Sequence, residues 1–410
     1  MSVVNVKTKL VEMLRTLDDF IYERVGPTRI LFVTTDNNGF LCQAPVIAAL
    51  KENADTRVRV TTINTQYRLE MNFLSSTESK LFSECQISAK IAALSKWHIV
   101  VYSHMCSFYP RRHVLRAYMH HGPGFGSGGG THAAEMCDIY FGLSEAERLY
   151  LEAKCPKLFG DNKAYFSVGF PKSDAILNGE YKRKDVLSKY GLQDRKTLLI
   201  ASRWNSFGLL QTLQEAPFRM LASSFPEWNV IQTGHPWLWE SREGIDPKWQ
   251  STLIDALHAV EKGYPNAYFI PSVPAEPLAA ASDLLVADGS SIVTTFSLLD
   301  RPIVYFDNPD RAEESKRPWA AYRDAGYTFT SLSELTKTCR IAMEDASPVH
   351  RKARGMLKEQ FFTNSGCASD VMANILTRMG RTCSKDSPGW AHIIDLSREY
   401  AAGQSPIKDA

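Results

Sequence analysis

The sequence predicts an α/β protein made of two doubly wound domains in tandem. Segments with strand character alternate with helical segments along most of the 410 residues. Several of these strands are continuous apolar runs, which is typical of a parallel sheet covered by helices on both faces. A polar, charged stretch around Gly179–Lys184 divides the series into two halves. Two such sheets in tandem predict a cleft between the domains, with ligands at the carboxyl ends of the strands.

The first domain is predicted over residues 26–178. Its helices include one around Ala44–Lys51 and one that Ser144 caps, with Glu147 three residues later as the capping-box partner. Its apolar runs predict strands at Arg29–Thr34, Val58–Ile63, Trp97–Tyr102, Arg116–Met119, Cys137–Leu143 and Ala164–Val168. This alternation of strand and helix indicates a Rossmann-like domain.

The second domain is predicted over residues 179–380 and ends in a long helix from about His350 to Arg378. A tail over residues 381–410 follows, and its amphipathic piece Trp390–Tyr400 could pack back onto the body. Strands are predicted at Thr197–Ile200, Asn229–Gln232, Ala267–Ile270, Asp283–Ala287 and Ile303–Phe306. The second half therefore has the same Rossmann-like rhythm as the first.

An amphipathic helix is predicted within residues 1–25, ahead of the first domain. Its apolar face carries Leu10, Leu14, Leu17 and Ile21 at helical spacing. Such a face can lie on a membrane surface or pack on the domain that follows. We favour packing because the polar face is not strongly basic. Peripheral membrane contact stays open as the alternative.

Composition excludes several classes of protein. The formal net charge of +2 gives no indication of nucleic-acid binding. The eight cysteines include no CxxC pair, so we expect reduced thiols in a cytosolic protein, with neither disulfides nor a structural zinc site. No apolar run is long enough to cross a bilayer, and the N-terminus lacks a secretory signal. These features predict a cytoplasmic location.

A histidine pair followed by glycines is the most distinctive local feature. His120 and His121 end an apolar run, and six glycines fall within residues 122–130. A histidine can move a proton near neutral pH, and glycines let the backbone come close to a charged ligand. The segment therefore predicts an active-site loop. A surface loop with an incidental histidine pair is the alternative.

A second candidate site follows the strand that ends at Asp288. Gly289 turns the chain there, and Ser290 and Ser291 open a helix. Amides at a helix N-terminus bind phosphate, and serine hydroxyls can add hydrogen bonds. The two serines could also serve as simple helix caps, and the two roles are compatible.

Two further residues follow strands of the second half. His235, in Gly-His-Pro, comes after the strand Asn229–Gln232 and could donate a hydrogen bond to a diphosphate. Arg203 comes after the strand Thr197–Ile200 and is a candidate phosphate partner. A structural histidine and a surface salt bridge are the alternatives for this pair.

These motifs, in this order, resemble the CDP-glycerol glycerophosphotransferase family, which includes teichoic-acid primases and polymerases and related capsule-polymer enzymes. The family has a Trp-His-Gly-Thr-Pro loop, a Gly-Tyr-Pro-Arg-x-Asp turn, a His-Pro pair and an Asp-Tyr-Ser-Ser segment. The matching pieces here are HHGPG, GFPKSD with Lys172 and Asp174, GHP, and DGSS before an apolar helix. The closing NSGCAS resembles the family's Asp-Gly-x-Ala-Ser, so the likeness covers roughly residues 98–378.

The sequence also departs from the family pattern. His120 stands where the family has tryptophan, and Gly289 where it has tyrosine. The lysine that follows the family's loop is missing, because Pro123 and the glycine-rich run after it replace Thr-Pro-Leu-Lys. The Pro-Thr-x-Arg turn is replaced by Ser-Arg-Trp-Asn. These differences bear on the identities of the donor and the acceptor.

The resemblance implies a GT-B fold, with the nucleotide held mainly by the C-terminal domain and the acceptor by the N-terminal domain. His121 would be the base that takes the proton of an acceptor hydroxyl, and His235 would contact the diphosphate. CMP would leave, with no metal and no cofactor required. The residues assigned to the donor phosphates are Arg203, Asp288, Gly289, Ser290 and Ser291. The residues assigned to the acceptor-side loop are Asn37, His120, Gly122 and Gly124.

The resemblance therefore implies a transferase that moves glycerol phosphate, or a similar polyol phosphate, from a CDP-activated donor. The acceptor would be a hydroxyl of a cell-surface glycan or a lipid-linked glycan, in cell-envelope biosynthesis of teichoic acid or capsule polysaccharide. Two alternatives stay open. One is a glycosyltransferase of the same fold that uses a UDP- or CMP-sugar, with a sugar epimerase of related fold as a weaker variant. The other is a non-catalytic subunit that binds a nucleotide sugar.

Overall fold

A computed structural model describes most of the chain. The described residues are Leu17 and residues 20–63, 74–104, 106, 108–110, 113–123, 135–154, 162–239, 244–271, 274–311 and 320–401. Most of the predicted N-terminal helix lies outside them, although Leu17 and residues 20–22 are helical. Within the described residues, no helix is both long enough and apolar enough to cross a bilayer.

Two six-stranded sheets contain all the named strands. The first sheet holds β1 Thr28–Thr34, β2 Thr56–Thr62, β3 Ile99–Tyr102, β4 Leu115–Met119, β5 Ile139–Gly142 and β6 Ala164–Ser167. The second sheet holds β7 Thr197–Ser202, β8 Asn229–Gly234, β9 Ala267–Phe269, β10 Leu284–Ala287, β11 Ile303–Phe306 and β12 Tyr327–Phe329. Every predicted strand overlaps one of these, and β12 is a strand that the sequence analysis did not predict.

The helices alternate with the strands. In the first part of the chain they are α1 Asn37–Lys51, α2 Ser76–Cys85, α3 Ala89–Leu94, α4 Glu145–Lys154, α5 Asp174–Leu177 and α6 Arg183–Lys189. Further along they are α7 Leu209–Leu213, α8 Ala216–Ser224, α9 Pro247–Gly263, α10 Ala275–Ala281, α11 Ile292–Ser297, α12 Ala320–Asp324, α13 Leu332–Glu344, α14 Pro348–Phe361, α15 Ala368–Arg378 and α16 Gly389–Ala401.

Both sheets are parallel, and each has a point where the chain reverses its direction of winding. The strand order is β2-β1-β3-β4-β5-β6 in the first sheet and β12-β11-β10-β7-β8-β9 in the second. The winding changes sides between β1 and β3 in the first sheet, and between β7 and β10 in the second. Loops at the carboxyl ends of such strand pairs diverge and leave a crevice, which is where open α/β sheets bind ligands.

The chain divides into two compact units. Unit 1 comprises Met1–His121, Gly128–Lys172 and Cys367–Ala410, and unit 2 comprises Gly122–Ser127 and Ser173–Gly366. The predicted boundaries at 178/179 and 380/381 differ from this division. The C-terminal segment is grouped with unit 1 because α15 packs on α1 and α16 packs on β6. An amphipathic helix shows in its sequence that it covers a sheet, but not which sheet it covers.

Each unit has its own apolar core. In unit 1, side chains such as Leu31, Val33 and Val100 are buried beneath Trp97 and Phe108. In unit 2 the core packs α8, α9 and α13 against the sheet, with contributions from Leu198, Ile200, Phe218, Leu257 and Leu335. Burial of this kind, at about 25 cal/mol per Å² of apolar surface, is the main force that holds each sheet under its helices.

The prediction of one continuous helix from about His350 to Arg378 is wrong, because the segment forms two helices. It consists of α14 and α15, and the connection between them carries Asn364 at φ 53° and Gly366 at φ 87°. Left-handed residues cannot continue a right-handed helix, so the helix ends there. The segment that resembles the family's Asp-Gly-x-Ala-Ser therefore forms a turn and the start of a new helix.

The first helix also begins earlier than predicted. Asp36 caps α1, because its carboxylate accepts a 2.7 Å hydrogen bond from the Gly39 N–H. Pro45, a residue that favours the first turn of a helix, lies inside this one. Asn37, Asn38 and Gly39 therefore form the first turn of α1. This places Asn37 and Asn38 at the carboxyl edge of the sheet.

Candidate active site

His121 lies at the carboxyl edge of the first sheet, near the point where the winding reverses. It follows β4, while Ser103 and His104 follow the neighbouring strand β3. The His121 Nδ1 lies 2.8 Å from the carbonyl oxygen of Ser103. A carbonyl can only accept a hydrogen bond, so Nδ1 carries the proton in the neutral ring. The basic nitrogen of His121 is therefore Nε2.

Two polar side chains fix the backbone of His121. The Asn38 side-chain amide donates a 2.8 Å hydrogen bond to the His121 carbonyl oxygen. The buried Lys172 ammonium donates a 2.9 Å hydrogen bond to the Asn38 side-chain oxygen. Lys172 thus connects the GFPKSD motif to the histidine motif. The sequence analysis placed Asn37 in this region, but the residue that contacts His121 is its neighbour Asn38.

His104 packs flat against His121. The two ring centroids are 3.8 Å apart at an interplanar angle of 22°. The His104 Nε2 lies 3.8 Å from the Asp36 carboxylate. Gly39 permits this packing, since a Cβ at that position would lie 2.8 Å from Ser103 Oγ and 3.2 Å from His104 Nδ1. The start of α1 and the end of β3 can therefore approach closely only at a glycine.

His120 does not belong to the acceptor-side loop, and that assignment was wrong. Its side chain is 5% exposed, and its Nε2 lies 2.6 Å from the Glu147 carboxylate and 3.0 Å from the Tyr140 hydroxyl. Successive residues of an extended chain point to opposite faces of a sheet, so two adjacent histidines have different neighbours. The ring of His120 turns into the interior of unit 1.

Glu147 is the centre of this buried network. It accepts hydrogen bonds from the Leu143 N–H at 2.8 Å and from the Tyr165 hydroxyl at 3.3 Å, as well as the contact to His120. Burial raises the pKa of Tyr140 and Tyr165 well above the usual value, so both hydroxyls stay protonated. Ser144 Oγ accepts from the Glu147 N–H as the predicted cap. The Glu147 carboxylate, however, accepts from the Leu143 N–H, and its other contacts are to Tyr165 and His120 in the interior of unit 1.

Asp288 organises the carboxyl edge of the second sheet. Its side chain is 1% exposed, and its carboxylate accepts hydrogen bonds from Ser202 Oγ at 2.8 Å, the Arg203 N–H at 3.0 Å and the Leu209 N–H at 2.7 Å. Burial raises the pKa of Asp288, opposed by these hydrogen bonds and by the charge of Arg203. A buried carboxylate does not contact a phosphate. Asp288 therefore ties the loop after β10 to the loop after β7, which corrects its assignment as a phosphate ligand.

The turn after Asp288 leads into α11 through Gly289, Ser290 and Ser291. Ser291 precedes α11 but makes no capping hydrogen bond with its side chain. The Ser290 Oγ is buried and has no hydrogen-bond partner within the part of the chain that the structure describes. Neither hydroxyl therefore acts as a simple helix cap, which was the alternative role for these serines. Their position at the winding reversal between β7 and β10 fits the predicted anion site.

Arg203 approaches this turn from the loop after β7. A Cβ at Gly289 would lie 3.4 Å from an Arg203 side-chain nitrogen, 3.4 Å from one of Arg311 and 3.3 Å from the Tyr305 hydroxyl. Arg203 and Gly289 therefore come together as predicted. Arg311, which follows β11, is a residue that the sequence analysis missed. No local motif identifies it, since its relation to Gly289 depends on strand order.

His235 follows β8 at the same edge of the second sheet. Its Nδ1 accepts a 3.2 Å hydrogen bond from the Trp237 N–H, so the proton of the neutral ring lies on Nε2. Its ring packs edge-on against Trp237, which in turn packs edge-on against Trp204. The imidazole thus presents an N–H donor, as the predicted contact to a diphosphate requires.

The residues after His121 contact unit 2, to which Gly122–Ser127 belongs. The Pro123 carbonyl accepts hydrogen bonds from Thr294 Oγ1 at 3.2 Å and from the Tyr322 hydroxyl at 3.3 Å. A Cβ at Gly122 would lie 3.5 Å from Ser291 Oγ. Gly124 lies outside the described residues. The division between units 1 and 2 therefore falls inside the HHGPG motif.

In the described part of the chain, no group of three or more His, Cys, Asp or Glu side chains is arranged to hold a metal ion. The described cysteines, namely Cys42, Cys85, Cys106, Cys137, Cys339, Cys367 and Cys383, form no disulfide with one another.

Comparison with known proteins relates part of the chain to a family. Residues 136–325 match the family model described as CDP-Glycerol:Poly(glycerophosphate) glycerophosphotransferase. The predicted family is confirmed over this segment. The glycerophosphotransferase-family segment includes the GFPKSD, GHP and DGSS motifs, while His121 precedes it. No curated protein sequence matches the chain.

Solved structures share the fold of this chain at low sequence identity. A variant of the wall teichoic acid polymerase TagF is 13% identical, with a TM-score of 0.58 over 92% of this chain and 98% of the other. MnaA from S. aureus, in a structure with UDP, is 13% identical, with a TM-score of 0.57 over 85% and 95%. UDP-GlcNAc 2-epimerase from Neisseria meningitidis, bound to UDP-GlcNAc, is 13% identical, with a TM-score of 0.51 over 85% and 99%. The predicted fold class, α/β with two Rossmann-like domains of GT-B type, is confirmed.

Proposed function

We propose that the protein transfers glycerol phosphate, or a similar polyol phosphate, from a CDP-activated donor to a hydroxyl group. The acceptor is a cell-surface glycan or a lipid-linked glycan, and CMP is released. The match of residues 136–325 to the glycerophosphotransferase family supports this class of reaction. The exact donor and acceptor, the metal independence and the cytoplasmic site of the reaction are parts of the proposal. Contact with a membrane through the N-terminal segment is a further part of it.

The tautomer of His121 is the observation that carries the proposal. With its Nδ1–H donated to the Ser103 carbonyl, the ring offers Nε2 as a base. Asn38 and Lys172 hold the His121 backbone through the hydrogen bonds described above. Catalysis by a base depends on such positioning as much as on basicity. In this scheme Nε2 takes the proton from the acceptor hydroxyl as its oxygen attacks.

The second sheet supplies the groups for the diphosphate. The proposed ligands are the Ser290 and Ser291 hydroxyls, the amides of the turn after Asp288, the Arg203 guanidinium and the Nε2–H of His235. Hydrogen bonds from fixed donors and cations stabilise the charge that develops on a departing phosphate. Asp288 contributes by holding Arg203 and the turn in place through the bonds of its buried carboxylate.

The bonds exchanged in the reaction are few. The acceptor oxygen forms a bond to the phosphorus that carries the glycerol, and the bond from that phosphorus to the bridging oxygen breaks. The bridging oxygen leaves with CMP, and the acceptor proton goes to His121. No electron is exchanged with a redox partner, so the scheme needs no cofactor.

Two alternatives use the same architecture. A glycosyltransferase would use His121 as base against the anomeric carbon of a UDP- or CMP-sugar, and Gly289, which departs from the family pattern, keeps this reading open. A subunit that only binds a nucleotide sugar would have no turnover. The TagF structures include a variant soaked with CDPG, while the MnaA structure contains UDP and the Neisseria epimerase contains UDP-GlcNAc. The shared fold therefore favours none of these donors, and the family match is what favours the CDP-polyol.

A donor panel tests the proposal. The purified protein is incubated with CDP-glycerol, CDP-ribitol, UDP-GlcNAc and a CMP-sugar, each with a soluble glycerol phosphate oligomer or a lipid-linked disaccharide as acceptor. The released nucleotide is identified by chromatography. CMP from a CDP-polyol, formed in step with a lengthened acceptor, supports the transferase. Release of UDP from the UDP-sugar supports the glycosyltransferase, and binding without release of any nucleotide supports the binding subunit.

A further inference from the structure

Two guanidinium groups converge above a single glycine in unit 2. Measured from the position that a Cβ would take on Gly289, Nη1 of Arg203 and Nη1 of Arg311 are each 3.4 Å away. The Tyr305 hydroxyl is 3.3 Å from the same point. Both arginines are partly exposed as residues, while Nη1 of Arg203 itself is buried.

The strand order explains the convergence. β10 lies between β11 and β7 in the second sheet. Arg203 follows β7, Arg311 lies in the loop after β11, and Gly289 lies in the turn after β10. The two arginines therefore flank the turn from opposite sides. They reach it at the carboxyl edge of a parallel sheet, where ligands of doubly wound domains bind.

The electrostatics of the pair favour an anion. Burial lowers the pKa of Arg311, and the charge of Arg203 lowers it further. The nearby acids are Asp288, whose carboxylate accepts hydrogen bonds from Ser202, Arg203 and Leu209, and Asp307, whose carboxylate lies 3.9 Å from the Arg323 guanidinium. Two cations held together repel each other, and an anion placed between them turns that repulsion into attraction.

We propose that Arg203 and Arg311 form a clamp for the two adjacent phosphates of a nucleoside diphosphate group, and that position 289 is glycine because a Cβ there would already touch both guanidiniums and a longer side chain would crowd them. This deepens the proposed function, on which it rests for the identity of the donor. Arg311 is thereby a donor-binding residue. Gly289, the departure from the family's tyrosine, is the residue that makes room for the clamp.

The clamp distinguishes a diphosphate from a monophosphate. CDP-glycerol carries one negative charge on each of its two linked phosphates, and two guanidiniums match them as a pair. CMP has one phosphate, which Arg203 and the Ser290 turn can hold without Arg311. Loss of Arg311 should therefore weaken the binding of nucleoside diphosphates far more than the binding of CMP.

Isothermal titration calorimetry on the full-length protein tests the clamp with CDP-glycerol, CDP, UDP and CMP. We expect Arg311→Ala to weaken the binding of CDP-glycerol and CDP by about 10- to 100-fold, which is the effect of losing a hydrogen bond to a charged group. The binding of CMP should weaken by less than about threefold. Arg311→Lys should fall between, because lysine keeps the charge but not the planar fork. Gly289→Tyr should weaken the binding of CDP at least as much as Arg311→Ala does and should weaken the binding of CMP as well, because its side chain would crowd Arg203 and Arg311 alike. Arg219→Ala, on the exposed face of α8, is the matched control and should bind like the wild type.

Three outcomes overturn the clamp. One is an unchanged affinity for CDP in Arg311→Ala, another is an equal loss of affinity for CDP and CMP in that same variant, and the third is a wild-type protein that binds no nucleoside diphosphate. Retained CMP binding shows that the Arg311 variants are folded, and an unchanged circular dichroism spectrum shows it for Gly289→Tyr. Failure of the proposed function gives a different result. In that case the wild type releases no CMP from CDP-glycerol, while Arg311→Ala still weakens the binding of UDP or CDP. If CDP-glycerol is turned over and Arg311→Ala leaves its KM and Kd unchanged, the function stands and the clamp falls.

Discussion

His121 and His235 lie at the carboxyl edges of two similar parallel sheets, yet their rings hold the proton on opposite nitrogens. In unit 1 the Nδ1 of His121 faces the Ser103 carbonyl and must donate. In unit 2 the Nδ1 of His235 faces the Trp237 N–H and must accept. The first ring therefore offers a basic Nε2, and the second offers an Nε2–H donor. One backbone group beside each imidazole decides which nitrogen carries the proton, and with it the role that we propose for that ring.

The surroundings of the two histidines differ in the same sense. The edge around His121 carries groups of both charges, with the stacked ring of His104 beside the Asp36 carboxylate and the Asn38 amide beside the Lys172 ammonium. The edge of the second sheet collects cations and donors around the Asp288 turn, including Arg203 and Arg311. Similar folds thus supply different chemistry, because the loops at the strand ends carry the function and the sheets only position them.

Replacing His121 gives the largest expected effect. We expect His121→Ala to lower kcat with CDP-glycerol by about 100- to 10,000-fold, which is the usual contribution of a general base. The Kd for CDP should stay within about threefold. His258→Ala, on the exposed surface of α9, is the control and should keep wild-type activity. A kcat for His121→Ala near that of the control removes His121 from the role of base.

Replacing His235 sharpens the contrast between donor and base. We expect His235→Ala to lower kcat by roughly 100-fold, the loss measured when one preorganised donor to a developing anion is removed. His235→Gln should recover part of the rate, since a side-chain amide still donates a hydrogen bond. His121→Gln should recover none, because an amide is not a base. Steady-state kinetics on the four variants tests this, and equal recovery at both positions would contradict the assigned tautomers.

A third histidine tests how burial controls protonation in unit 1. His98 is fully buried, its Nδ1 accepts a 2.9 Å hydrogen bond from the Arg29 N–H, and burial lowers its pKa from 6.5 to about 4. The unfolded chain takes up this proton near pH 6.5 but the folded chain only near pH 4. The stability that His98 contributes is therefore complete above pH 6.5 and is lost as the pH falls from 6.5 towards 4.

We expect the unfolding free energy to fall between pH 7 and 4.5 by about 2 kcal/mol more in the wild type than in His98→Asn. Urea unfolding, with hydrogen exchange of the β3 amides to report on unit 1, measures this difference. His258→Asn is the exposed control and should follow the wild type. If His98→Asn shows the same loss of stability in acid as the wild type, the buried ring is not the group that titrates.

The two serines of the turn give the smallest expected effect. The Ser290 Oγ is buried, whereas Ser291 is exposed. We expect Ser290→Ala to weaken the binding of CDP by about tenfold, since a hydrogen bond to a charged group is lost. Ser291→Ala should weaken it by less. Calorimetry on the two variants tests the order, and a larger loss for Ser291→Ala would move the anion away from the buried side of the turn.

Much of the fold follows from local patterns in the sequence. The apolar runs located the strands that were predicted, because a strand buried on both faces is a continuous apolar run without alternating polar residues. Motif order predicted the family that residues 136–325 match. His121, Arg203, His235 and Ser290 all lie at carboxyl edges of sheets, as strand-end residues of parallel sheets must. Such features depend on neighbours in the chain, so the sequence displays them directly.

The remaining features were decided by the tertiary structure. The sequence could not show that the His120 ring contacts Glu147 while the His121 ring contacts Ser103. Nor could it show that Asn38 is the residue that binds the His121 carbonyl oxygen. It gave no signal for Arg311, whose place beside Gly289 depends on β10 lying between β7 and β11. Composition and spacing determine which elements form and which chemical groups end them. The contacts that set a proton on one nitrogen, or bring two cations together, join residues far apart in sequence, so only the folded chain decides them.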